Sequence, residues 1–208
     1  MQIQLLPDDG TGRTALLATP DPGDRPMPVD QLLLDAAPRM LDDECTAVAG
    51  TLLFAPYAQS EISFGKKISA GLAGAIQDAT GLTVTSKTAE RPRSDDAVSA
   101  PLQVTTLAVS LDGALEASTP GVDRTRLRLV PGERFQGALF GVKEAVIASN
   151  AWYLARVIDP HRVQLAAGLL FARDLLAQHV RTTSEEAEAW AVPEEVATLC
   201  AALGIGVS

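Results

Sequence analysis

The stretch HRVQLAAGLLFARDLLAQHV, residues 161–180, restricts the fold more than any other. Read at helical period it is apolar over more than half its circumference, so it has no broad face to give to water. Such a helix must sit at the centre of the fold or be covered by another subunit. Ala166, Ala167, Gly168 and Ala172 supply a small-residue face on which a neighbour can pack closely. Its longest unbroken apolar run, LAAGLLFA, is far short of the ~20 residues that cross a bilayer, so no membrane partner is expected.

Around that helix the chain changes character along its length. Asp159-Pro160 provides an N-cap and a first-turn proline for it. VKEAVIASNAWYLARV, from residue 142, reads as a preceding helix, and Pro193 to Gly204 as a last short one. Upstream, QIQLL (2–6) and TALLAT (14–19) flank a turn-rich PDDGTGR and predict a β-hairpin. Residues 29–41 read as a short helix ended by Pro38, and TAVAGTLLFAP (46–56) as a buried strand. Residues 60–64 suggest a short strand, after which Ser69 caps a helix over 70–80 that Gly81 closes. LTVTSK (82–87), LQVTTLAVSL (102–111) and RTRLRLV (124–130) read as strands, with the polar segment 88–101 between the first two as a mobile loop. Strands first and helices later predict one α+β domain over 1–208, strand-rich over 1–135 and helical over 141–204. Its antiparallel or mixed sheet would come from the N-terminal two-thirds and be covered by C-terminal helices. No internal repeat is visible.

Composition narrows the chemistry. With 47% hydrophobic residues but nine aromatics, the core must be built from Leu, Val, Ile and Ala. Seventeen basic against 26 acidic side chains leave a net charge of −9, which disfavours binding to a phosphate backbone, so no nucleic-acid partner is expected. Cys45 and Cys200, 155 residues apart, match no zinc or redox spacing. With no signal-like opening, a cytoplasmic location is expected.

Four places draw attention as possible sites. In SEISFGKKIS, Lys66 and Lys67 follow Gly65 just before a helix, where free N–H groups and cations attract anions. The phosphate-loop pattern fails there, because Ser60 stands where its first Gly should and Lys67 where Ser or Thr should. The favoured reading is a corner between strand and helix, Gly71 and Gly74 allowing close packing. Arg124, Arg126 and Arg128 would share one face of a strand, with Leu127 and Leu129 on the other. That face is either an ordinary solvated sheet surface or a fork-like recogniser of acidic groups. Asn150 and Trp152, in a helix interior, could line a pocket, aided by Glu144 or Tyr153. His161 and His179 would occupy opposite ends of one helix, about 27 Å apart at 1.5 Å per residue, too far to share a metal.

Adjacent acids such as Asp42-Asp43-Glu44 have no calcium-loop spacing, and no HExxH, CxxC or GxSxG occurs. No metal or cofactor is expected. The sequence therefore points to a non-catalytic binding or assembly domain, self-associating or meeting a protein partner through its C-terminal helices. The competing reading is an enzyme or receptor for a small anion held by the lysines and arginines.

Overall fold

The computed structural model describes residues 1–8, 10–86, 105–111, 124–183 and 191–208. The expected loop at 88–101 and residues 102–104 of the expected strand lie outside them.

In the first half, β1 (Gln2–Asp8) and β2 (Arg13–Thr19) form the expected hairpin, antiparallel from Gln2↔Thr19 to Asp8↔Arg13. The segment read as a helix over 29–41 is instead a strand, β3 (Gln31–Leu34), paired with β2. Pro28 and Pro38 bracket it, and QLLL alternates, burying Leu32 and Leu34. The segment read as a strand over 46–56 is a helix, α1 (Asp43–Phe54). Its N-cap is Asp42, whose carboxylate accepts the N–H groups of Glu44 at 2.9 Å and Cys45 at 3.0 Å. Every residue from Cys45 to Phe54 is buried, so the helix shows no polar face by which its period could be recognised. β4 (Glu61–Phe64), α2 (Ala70–Thr80) and β5 (Thr83–Ser86) follow as expected. Ser69 caps α2, and Gly81 ends it in the left-handed region at φ 73°.

In the second half, β6 (Thr106–Leu111) and β7 (Arg124–Pro131) are the expected strands. The expected helix from 142 is replaced by β9 (Glu144–Ser149), preceded by β8 (Ala138–Phe140) and followed by the four-residue α3 (Ala151–Leu154). β9 lies between β7 and the β3/β8 side, and Ala145 to Ser149 are all buried, an environment that overrides the helix propensity of EAVIAS. The long helix over 161–180 is shorter than expected. α4 (Pro160–Phe171) ends at Ala172, the chain turns through Leu176 at φ 51°, and His179–Thr183 form β10. α5 (Glu194–Ala202) and β11 (Gly206–Val207) close the fold, with Gly204 at φ 71° between them.

The strands of the described residues belong to one mixed 11-stranded sheet, in the order β11-β10-β6-β7-β9-β3-β2-β1-β4-β5, with β8 on β9. Strands and helices are thus interspersed, not divided between an N-terminal sheet and C-terminal helices. The order also contains a repeat that the residues do not show. β1 to β5 run 3-2-1-4-5, and β6, β7, β9, β10 and β11 run in the same order. In each half a buried helix leads from the third strand to the fourth, α1 or α4, and a second helix links fourth to fifth, α2 or α5. The third strands meet antiparallel at Leu34↔Ser149, so the two halves run in opposite directions from the centre of the sheet. The second strand breaks the correspondence, β2 being antiparallel to its neighbours and β7 parallel.

α1 packs on α4 and α2 on α5, so the helices leading into the two edge strands also touch each other. A single core cluster runs through both halves, from Met1 to Ile205. The central helices approach their strands through glycine. A Cβ at Gly50 would stand 2.5 Å from Ile3 of β1, and one at Gly168 would stand 2.8 Å from both Val109 of β6 and Val180 of β10.

Candidate functional site

The residues singled out in the sequence do not converge. Lys66 and Lys67 are exposed at the β4–α2 corner, where Gly65 N–H donates to the carbonyl of Ile3 at 3.4 Å. Ser69 N–H, the nearest helix-start donor, is taken by Glu44 Oε1 at 3.1 Å. A Cβ at Gly71 or Gly74 would meet nothing within 4 Å, so these glycines do not serve close packing. From β4 to β7 the path crosses β1, β2, β3 and β9. Four strands therefore separate the lysine corner from the arginine strand along the sheet.

The arginine face is not the half-wet antiparallel surface expected. β7 is an interior strand with parallel neighbours on both sides, an arrangement buried on both faces. Arg128 is only 3% exposed, with Nη1 3.5 Å from Glu144 Oε1, and Arg126 is half-buried. Arg124 opens the strand, and its side chain lies outside the described residues.

Asn150 and Trp152 sit at the β9–α3 junction. Asn150 Oδ1 accepts Leu33 N–H at 2.8 Å and its Nδ2 donates to Gln31 O at 2.9 Å, while Ser149 Oγ donates to Leu33 O at 2.7 Å. Two side chains thus reinforce the backbone ladder where the half-sheets meet. Trp152 Nε1 is buried without a hydrogen-bond partner, and Tyr153 Oη donates to Glu133, which raises the phenol pKa.

The histidines lie on different elements: His161 in the first turn of α4, Nδ1 2.9 Å from Thr182 Oγ1, and His179 at the start of β10, Nε2 3.0 Å from Ser208 Oγ. Burial, followed by Arg181, lowers the pKa of His179. Among the described residues there is no cluster of three metal-ligating side chains and no helix long and apolar enough to cross a membrane. Leu165 to Ala172 are all buried against α1, β6 and β10, so the apolar breadth of α4 is consumed inside the chain and is not offered to a second subunit.

Two features escape motif reading. The first is the β8 edge. β8 pairs with β9 on one side only among the described residues, and its Leu139 and Phe140 are 60% and 55% exposed. Val142, in the following turn, is 98% exposed. The run from Phe135 to Val142 carries no charged residue, and Glu133-Arg134 and Lys143-Glu144 flank it.

The second is a cleft of about 160 Å³ where α1, α2, α4 and α5 meet. Leu52, Val196 and Leu199 line it, and the small side chains of Ala55 and Ala79 leave it open. Arg162 Nη2 donates to Glu195 Oε1 at 3.1 Å among its lining residues, joining the first turns of α4 and α5. The hydroxyl donors of Thr51 and Thr80 are spent on the helix carbonyls of Ala47 and Ile76. The cleft therefore has apolar walls and one charged pair. Only the folded chain assembles it, because its residues come from four separated segments.

No family model, curated protein or solved structure matches this chain.

Proposed function

We propose that this protein is a non-catalytic binding domain that captures an extended segment of another protein on the free edge of β8. The observation that carries this is the exposure of Leu139, Phe140 and Val142 along and just beyond a strand that is paired on one side only among the described residues. An open edge offers backbone donors and acceptors, and strand addition satisfies them while alternate side chains supply specificity. Exposed apolar side chains gathered on such an edge mark an interaction site more often than scattered ones do. The apolar side chains of Leu139, Phe140 and Val142 favour a partner segment that presents apolar residues to them.

Selection of random strand-length peptides against the immobilised protein tests the reading. Enriched peptides should carry apolar residues at alternate positions, bind the wild type, and fail to bind Phe140→Asp or Val142→Asp proteins of unchanged melting temperature. Enrichment indifferent to both substitutions would place recognition elsewhere, and no enrichment at all would remove the proposal.

A further inference from the structure

We infer that the cleft between α1, α2, α4 and α5 binds a small zwitterion with a branched aliphatic body, an amino acid of valine to leucine size. The argument begins with the space. A cleft of about 160 Å³, half open to solvent, remains at the meeting of four helices. An apolar void of roughly 150 Å³ accepts a molecule the size of benzene, so this one accommodates a body of about four to six carbons. Leu52, Val196 and Leu199 give that body apolar contact, and the two spent threonine hydroxyls offer it no donor.

The charged pair supplies the second half of the recognition. Arg162 and Glu195 are held side by side, both are partly exposed, and an ion pair of that kind contributes little net stability by itself. Glu195 takes one of the five N–H donors of the guanidinium. A carboxylate on the ligand can therefore bind Arg162, and an ammonium on the same ligand carbon can bind Glu195. A ligand bearing one charge alone satisfies one member of the pair and faces the like charge of the other. That repulsion selects for zwitterions over simple acids or amines. This site is independent of the β8 edge, and a Phe140→Asp protein should retain it.

The test is calorimetric titration of the full chain with four probes. L-leucine carries body and both charges, isovalerate and isopentylamine carry the body with one charge each, and glycine carries the charges without the body. Saturable binding of leucine is expected, with the three partial probes at least about tenfold weaker. Arg162→Gln should weaken leucine to the level of isopentylamine. Should Arg162→Gln fold poorly, Ala79→Leu, which fills the cleft and leaves the charges in place, should abolish leucine binding. Absence of leucine binding to the wild type overturns the inference. So does isovalerate or isopentylamine binding as tightly as leucine, and so does leucine affinity unchanged in Ala79→Leu.

Discussion

Gly50 of α1 and Ile3 of β1 are packed so closely that a methyl group added to the glycine would stand 2.5 Å from the isoleucine Cγ2. The corresponding helix of the second half repeats the device, Gly168 of α4 facing Val109 and Val180. In both halves the buried central helix is drawn onto the sheet by a glycine, whose missing side chain sets the helix–sheet distance.

The first prediction follows from that contact. Gly168→Ala and Gly50→Ala should each destabilise the protein by about 1–3 kcal/mol, because the β-branched neighbours cannot move aside without disturbing their strands. Gly74→Ala, on the exposed side of α2 with nothing near the new methyl, should stabilise it by roughly 0.5–1 kcal/mol through helix propensity. Urea midpoints of the three variants decide the matter. Equal effects of one sign would show that close approach is not what the buried glycines provide.

A second prediction concerns the seam between the half-sheets. Leu34↔Ser149 is the one ladder pair between β3 and β9, and Asn150 and Ser149 add side-chain bonds to Leu33 and Gln31. Asn150→Ala should cost about 0.5–1.5 kcal/mol, since it removes two hydrogen bonds to β3 whose backbone groups water can partly satisfy. Hydrogen exchange at the Leu33 amide should accelerate more than at the amides of β6. Uniform acceleration across the sheet would mean that Asn150 acts on global stability and not on the seam.

What the sequence disclosed, and what it hid, has a physical pattern. Several elements with one wet face and clear ends were legible, the β1–β2 hairpin, α2 between Ser69 and Gly81, and α5 before Gly204, whereas the four-residue β3 was too short for its alternation to outweigh a helical reading. Two segments buried on all sides were misread in opposite directions, α1 as a strand and β9 as a helix. Total burial removes the polar positions from which a period of two or 3.6 is read. Asp42-Asp43-Glu44 before α1 is the signal the sequence offers there, an N-cap with an acidic first turn. The cleft could not be seen at all, because Leu52, Ala79, Arg162 and Val196 belong to four different helices. The 3-2-1-4-5 repeat was equally hidden, being carried by strand order without recurring residues.

The third prediction concerns acid. Burial alone would raise the pKa of Asp42, but the N–H groups of Cys45 and Glu44 and the guanidinium of Arg173, 2.8 Å away, outweigh it and hold the carboxyl below its ordinary range. The folded state therefore binds this proton less readily than the unfolded chain does. The stabilisation is fully present above the unfolded value, near pH 4, and is lost as pH falls through the lower folded value. Asp42→Asn, which keeps a capping oxygen but no charge, should flatten the fall of melting temperature below about pH 4. Asp42→Ala, losing the cap as well, should cost about 1–2 kcal/mol at neutral pH. An Asp42→Asn profile parallel to wild type through the acid range would assign the acid response to other groups.

The last prediction concerns the two thiols. Cys45 is buried in the first turn of α1, and helix starts ordinarily favour a thiolate. Here burial dominates, and with the neighbouring Asp42 carboxylate it pushes the thiol pKa up to about 12. Cys200, buried in α5, is likewise pushed up to about 12 by burial. A thiol must be both ionised and reachable to react, and neither condition holds for either residue at neutral pH. A disulfide-exchange reagent at pH 8 should therefore label neither cysteine in the folded protein and both in urea. The labelling rate should follow the unfolding equilibrium, rising in Gly168→Ala and falling in Gly74→Ala. Rapid native labelling of Cys45 alone would mean that the α1 N-terminus is open to solvent and that its helix dipole prevails over burial.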